Sequence, residues 1–229
     1  VPVGGHQPRR AAQGRARMSE AWEAEDYLPS YETEDARRAW RRRTSLEMII
    51  SGCIGLLTSF VLSIEAWQLA ADSSTRFGCD ISSVLSCSTV AQTWQARILG
   101  FPNAFLGIFF EAVVLTVSFA LIAGVRFPKW YYLGVEALYT IGLGFAYWLF
   151  TQSYFVIHVL CPWCLLITIT TTLVWFGLTR VCISQGVLPA PAWWKSVMKA
   201  GGDWLVVVLV IAGVLAMIGV RYGSLLFGN

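Results

Sequence analysis

Charge is scarce in this sequence. Only 14% of its 229 residues are Asp, Glu, Lys or Arg, whereas 56% are hydrophobic. Soluble domains carry about 25% charged residues, so a water-exposed globular fold is excluded. The charge that exists is unevenly placed: residues 1–45 hold 9 of the 17 basic and 7 of the 14 acidic side chains. No long apolar run precedes residue 46, and no small-residue cleavage site follows the first one, so a secretory signal is not expected. There is no internal repeat. The net charge of +3 does not argue for a nucleic-acid partner, because the positions of the basic residues are explained by membrane topology.

What is present is a set of apolar runs at Leu46–Ala71, Asn103–Val125, Trp130–Phe150, Phe155–Thr179 and Trp204–Tyr222. Each approaches or exceeds the roughly 20 residues that a helix rising about 1.5 Å per residue needs to cross a bilayer. The expected fold is therefore all-α and integral to a lipid membrane. Residues 1–45 read as a disordered cytoplasmic tail, 46–180 as a four-helix membrane unit with an outer loop at 72–102, and 181–203 as a cytoplasmic loop. Residues 204–222 form a fifth span, and 223–229 an outer tail. Arg37, Arg38, Arg41, Arg42, Arg43, Arg126, Lys129, Arg180, Lys195 and Lys199 fall on one side, against Arg76, Arg97 and Arg221 on the other. Lys and Arg concentrate in cytoplasmic segments, so the N-terminus is expected inside and the C-terminus outside.

That topology sorts the cysteines. Cys79 and Cys87 fall in the outer loop, and Cys161 and Cys164 form Cys-Pro-Trp-Cys near the outer start of the fourth span. The outer compartment permits disulfides. Cys53 and Cys182 have no such context and read as space-filling thiols. Residues i and i+3 share a helix face, so Cys161 and Cys164 can exchange protons and form a short disulfide. A helix N-terminus, with Pro162 tolerated in its first turn, favours negative charge on Cys161. Cys164 would lie about 4.5 Å deeper, toward the lipid. Inert structural disulfides, in a structural or transport protein, are the alternative. A zinc site is opposed by the seven residues between Cys79 and Cys87, more than the usual ligand spacing of about two to four.

Several other residues stand out. Glu65, Glu111 and Glu136 lie inside expected spans, where a charge is expensive. Glu111 sits two helical turns below Asn103 and is a candidate pocket residue, whereas Glu136 reads as a protonated or snorkelling carboxyl. His158, one turn before Cys161, reads as a packing residue or a stabiliser of that sulfur. Asp80 and Arg97 flank the loop cysteines and can tune their reactivity. Trp67, Trp94, Trp130, Trp148 and Trp163 fall near span ends, as an interfacial belt would.

Cys79-Asp80, Ser86-Cys87-Ser88 with Trp94, Pro102-Asn103-Ala104 leading to Gly107, and Cys161-Pro162-Trp163-Cys164 occur in an order that resembles the bacterial form of the vitamin K epoxide reductase family. The resemblance covers about residues 46–180. It implies a four-helix bundle around a quinone of the menaquinone or ubiquinone type, with a fifth helix beside it, in a bacterial plasma membrane. It further implies that Cys79 exchanges with a secreted or membrane-anchored thioredoxin-like thiol oxidase, that Cys87 passes electrons to Cys161, and that Cys164 meets the quinone. The depth reading orders the last two the same way. Asn103 matches the family's asparagine that hydrogen-bonds a quinone carbonyl, and could also cap a helix. Asn103, Glu111 and Ser88 are thus the candidate quinone-binding residues, with no metal expected. Thr168 stands where the vertebrate enzymes carry a tyrosine, which counts against vitamin K epoxide as the substrate. Reduction of vitamin K or a naphthoquinone epoxide is nevertheless the alternative enzyme activity. With the chain ending at Asn229, a fused thioredoxin domain is not expected and the thiol partner would be a separate protein.

Overall fold

A computed structural model describes residues 34–199 and 201–227 of the chain. It is 78% helical, with only isolated β-bridges among the described residues. The long helices are α1 (Glu34–Ala71), α3 (Ala104–Ile122), α4 (Lys129–Gln152), α5 (Pro162–Ser184) and α7 (Gly202–Phe227). Two short ones, α2 (Cys87–Ala91) and α6 (Ala192–Lys199), lie in the connections. Five helices are long and apolar enough to cross a membrane, and the fold is an all-α membrane fold.

Side-chain distribution agrees with lipid as the solvent. Ile50, Leu57, Phe60, Phe109 and Val208 are exposed, whereas Ser51, Thr58, Ser59, Ser63 and Ser118 are buried between helices. Small residues let backbones approach where dispersion replaces the hydrophobic effect. A Cβ on Gly107 of α3 would collide with Ser59 of α1, and one on Gly55 of α1 would collide with Glu111. The bundle is closed at one end by Val114, Val117, Tyr132, Tyr139, Val174 and Leu178, which pack together.

Helix boundaries differ from the expectation in three places. Helix α1 begins at Glu34, so residues 34–45, read as disordered tail, are helical. Arginine is a good helix former, and a helix already nucleated by an apolar span extends at little cost. Residues 1–33 lie outside the described residues. The fourth span begins at Pro162, not Phe155: residues Ser153–Ile157 extend α4 as a π-helical turn, and His158 then reverses the chain at φ 60°. Proline suits a first turn but not an interior, and it holds the preceding Cys161 extended. Helix α7 continues through Phe227, so most of the expected outer tail belongs to it.

Helix α7 stands outside the four-helix unit and is fastened at both ends. At one end Arg180 of α5 pairs with Asp203 and with Glu47 of α1, the latter at 2.6 Å, and its guanidinium lies over the Trp204 ring. Arg180 therefore sits inside α5 as a buried clamp. At the other end Tyr154 donates to the Met217 carbonyl and Tyr222 to the Tyr154 carbonyl.

Candidate active site

The loop between α1 and α3 is organised by one carboxylate. Asp80 accepts from the backbone N–H groups of Phe77 at 2.8 Å and Ser88 at 3.0 Å, and from the Ser86 hydroxyl at 2.7 Å. Partial burial works against its charge, but these donors outweigh it and hold the carboxyl down at about 2. Ser86 also caps α2 by accepting from Thr89 N–H. Cys79 and Cys87, on either side of this network, are joined as a disulfide.

A short backbone ladder then carries Cys87 to the second pair. Leu160 N–H donates to the Val84 carbonyl at 2.8 Å, and Ser86 N–H donates to the Leu160 carbonyl at 3.0 Å. Cys87 and Cys161 each follow a laddered residue by one position. Their sulfurs lie 3.5 Å apart. Cys161 is the N-cap of α5 and accepts from Cys164 N–H at 3.3 Å; Cys161 and Cys164 are free thiols.

Cys87, Cys161 and Cys164 open on an apolar cavity of about 160 Å³ enclosed by α1, α3, α4 and α5 and roofed by the loop. Asn103 and Glu111 also line it. Asn103 precedes α3 without capping it: its amide nitrogen donates to the Gln95 carbonyl at 2.7 Å, and its buried Oδ1 has no protein partner. Glu111 accepts from the Tyr139 hydroxyl at 3.2 Å. Thr168 lines the cavity too, with its hydroxyl donating to the Cys164 carbonyl.

Other expected residues fall elsewhere. Ser88 does not line the cavity: its N–H and hydroxyl belong to the Asp80–Ser86 network. His158 turns its Nδ1 to Arg221 at 2.9 Å, fastening α7. Arg97 lies on the cavity wall. Glu136 is buried and accepts from Thr179 at 2.6 Å, which excludes snorkelling. Cys53 is exposed on α1 and Cys182 is buried beside Tyr132; neither lines the cavity.

Glu65 was given no role by the sequence, yet it is at the centre. Its carboxylate oxygens lie 3.6 and 3.9 Å from Cys79 Sγ, and Trp163 packs against the same cysteine cluster. Trp163 thus serves the site and not only an interfacial belt. The available signal was a carboxyl within two turns of the loop end of α1. Glu65, Cys79 and Cys87 bring three potential metal ligands within 4.8 Å of one another, but the disulfide leaves no thiolate pair for an ion.

The sequence model of a family described as Vitamin K epoxide reductase family matches residues 46–179, more than half of the chain. The chain belongs to that family. Its members are oxidoreductases of the membrane, linked in general to quinone. A search of curated proteins finds no match.

Proposed function

We propose that this member of the vitamin K epoxide reductase family re-oxidises a secreted or membrane-anchored thioredoxin-like thiol oxidase and passes the electrons to a membrane quinone of the menaquinone or ubiquinone type. The observation that carries the reading is the 3.5 Å approach of Cys87 and Cys161 sulfurs at the wall of an apolar cavity that also holds Cys164. The partner's dithiol reduces Cys79–Cys87 by exchange through Cys79. Cys87 then attacks Cys161 of an oxidised Cys161–Cys164 pair, and Cys164 leaves. Cys79 attacks Cys87 in turn, which restores the outer disulfide and frees Cys161. The described pairing, with the outer disulfide closed and both inner thiols free, corresponds to the moment after this hand-over.

The cavity suits a flat ring with oxygens at its edge. Its walls are mostly apolar, and the unsatisfied Asn103 Oδ1 is an acceptor waiting for a hydroxyl hydrogen. Glu111, two turns deeper, can meet a second oxygen. A quinone bound there supplies a sink for two electrons and two protons. The helices exclude water from Cys164, and the Cys161 N-cap position keeps an N–H directed at its sulfur. In this reading the protein sits in a bacterial plasma membrane with its N-terminus cytoplasmic and the redox loop outside.

The test is quinone reduction by purified protein supplied with a reduced thioredoxin-like protein and a short-chain ubiquinone or menaquinone. The expected result is catalytic loss of quinone absorbance. Alanine at Cys79, Cys87, Cys161 or Cys164 should abolish it, while Cys53→Ala and Cys182→Ala retain it. Wild-type protein that reduces neither quinone would overturn the reading.

A further inference from the structure

Exchange between the two cysteine pairs has a proton to place. When Cys79 attacks the Cys87–Cys161 bond it must first shed its thiol proton, because the thiolate is the nucleophile. Cys79 is 7% exposed, so bulk water is a poor acceptor at this position. Two carboxylates are near. Asp80 has both oxygens engaged by loop donors, which stabilise its charged form and make it a weak base. Glu65 is different. It reaches Cys79 from a buried position on α1, and its carboxylate lies within 4.8 Å of Cys87 Sγ, which is itself 3.5 Å from Cys161 Sγ. Glu65 is therefore beside the outer pair and one sulfur removed from the inner pair.

We propose that Glu65 is the general base of the exchange, taking the proton of Cys79 and returning it to the inner pair. The inference rests on the relay described above. In the step, the Cys79 thiol proton passes to the Glu65 carboxylate as Cys79 Sγ bonds to Cys87 Sγ. The Cys87–Cys161 bond breaks, and Cys161 leaves as a thiolate. Two electrons have then left the outer pair, which is a disulfide, and reside on the inner pair, where both sulfurs are free. Protonated Glu65 returns its proton to an inner sulfur, so the negative charge ends where it began. The reverse step uses the same group as an acid.

The test uses the full chain in detergent without quinone, both pairs oxidised. Reduced thioredoxin, too large for the cavity, is added; samples are quenched in acid and alkylated with maleimide to count reduced Cys161 and Cys164. Glu65→Gln should slow reduction of the inner pair by about a hundredfold, within the range of general base catalysis. Glu65→Asp should recover part of the rate. With dithiothreitol, which enters the cavity and reduces the inner pair directly, Glu65→Gln should match wild type. An unchanged rate with thioredoxin would overturn the proposal. Equal losses with both reductants would also overturn it, assigning Glu65 to packing. Because quinone is omitted, failure of the quinone assay bears on the functional reading and failure here bears on Glu65.

Discussion

The Asp80 carboxylate accepts from Phe77, Ser86 and Ser88, donors that bracket both loop cysteines. Charge-assisted hydrogen bonds of this kind are worth roughly 1.5–3 kcal/mol each. Asp80→Asn places an NH2 group against at least one donor, so it should lower the thermal midpoint in detergent and slow thiol transfer from a protein donor. The pH dependence follows from the direction of the shift. A carboxyl held at about 2, against an ordinary value of 3.8, stabilises the fold fully above pH 4 and loses that contribution as pH falls toward 2. Thermal midpoints across this window should show an acid limb in wild type that is smaller in Asp80→Asn; identical limbs would contradict the role. At this scale, Cys87, Cys161, Cys164, Asn103 and Glu111 come together at one cavity, with Cys79 joined to Cys87; compartment and depth singled out the cysteines and Glu111, and the family resemblance singled out Asn103. The places of Glu65 and Ser88 could not be read from the chain. Their neighbours come from the folded loop, and no periodicity tells which way a loop residue turns.

Secondary structure decides which cysteines meet. The ladder between Val84–Ser86 and Leu160 fixes the separation of Cys87 from Cys161, and it exists because Pro162 delays α5 and leaves Cys161 extended. An apolar run alone hides this break, which is why the fourth span seemed to start at Phe155; the proline marked it. Helix α7 touches the unit without lining the cavity, held by the Arg180 ion cluster at one end and by Ile218 and Tyr222 packed on Phe150, Tyr154 and Leu160 at the other. Removing one partner of a buried ion cluster costs about 3–5 kcal/mol because the others remain charged and desolvated. Arg180→Ala should therefore lower the thermal midpoint strongly through Glu47 and Asp203. Protein that survives insertion should keep its affinity for quinone, measured by titration. A large loss of affinity with unchanged stability would mean that α7 shapes the cavity.

For the whole molecule, the spans and their number were legible because lipid demands continuous apolar helices with internally satisfied backbones. Residues 34–45 were misread because a hydrated helix extension has the polar composition of a tail. Orientation rests on Lys and Arg placement, which Arg180 weakens by acting as a clamp. Reporter fusions at residues 90 and 229 should both signal an external location; a cytoplasmic signal at residue 90 would put the outer loop in a reducing compartment and remove the basis for the relay. The central claim is that electrons cross between the pairs through Cys87 and Cys161, whose sulfurs lie 3.5 Å apart. It is tested most directly by Cys79→Ala/Cys164→Ala protein, in which neither resolving sulfur remains. Peptide mapping by mass spectrometry after mild oxidation should find a Cys87–Cys161 disulfide in the majority of molecules. Cys87 and Cys161 recovered as free thiols, or joined to Cys53 or Cys182, would contradict the account.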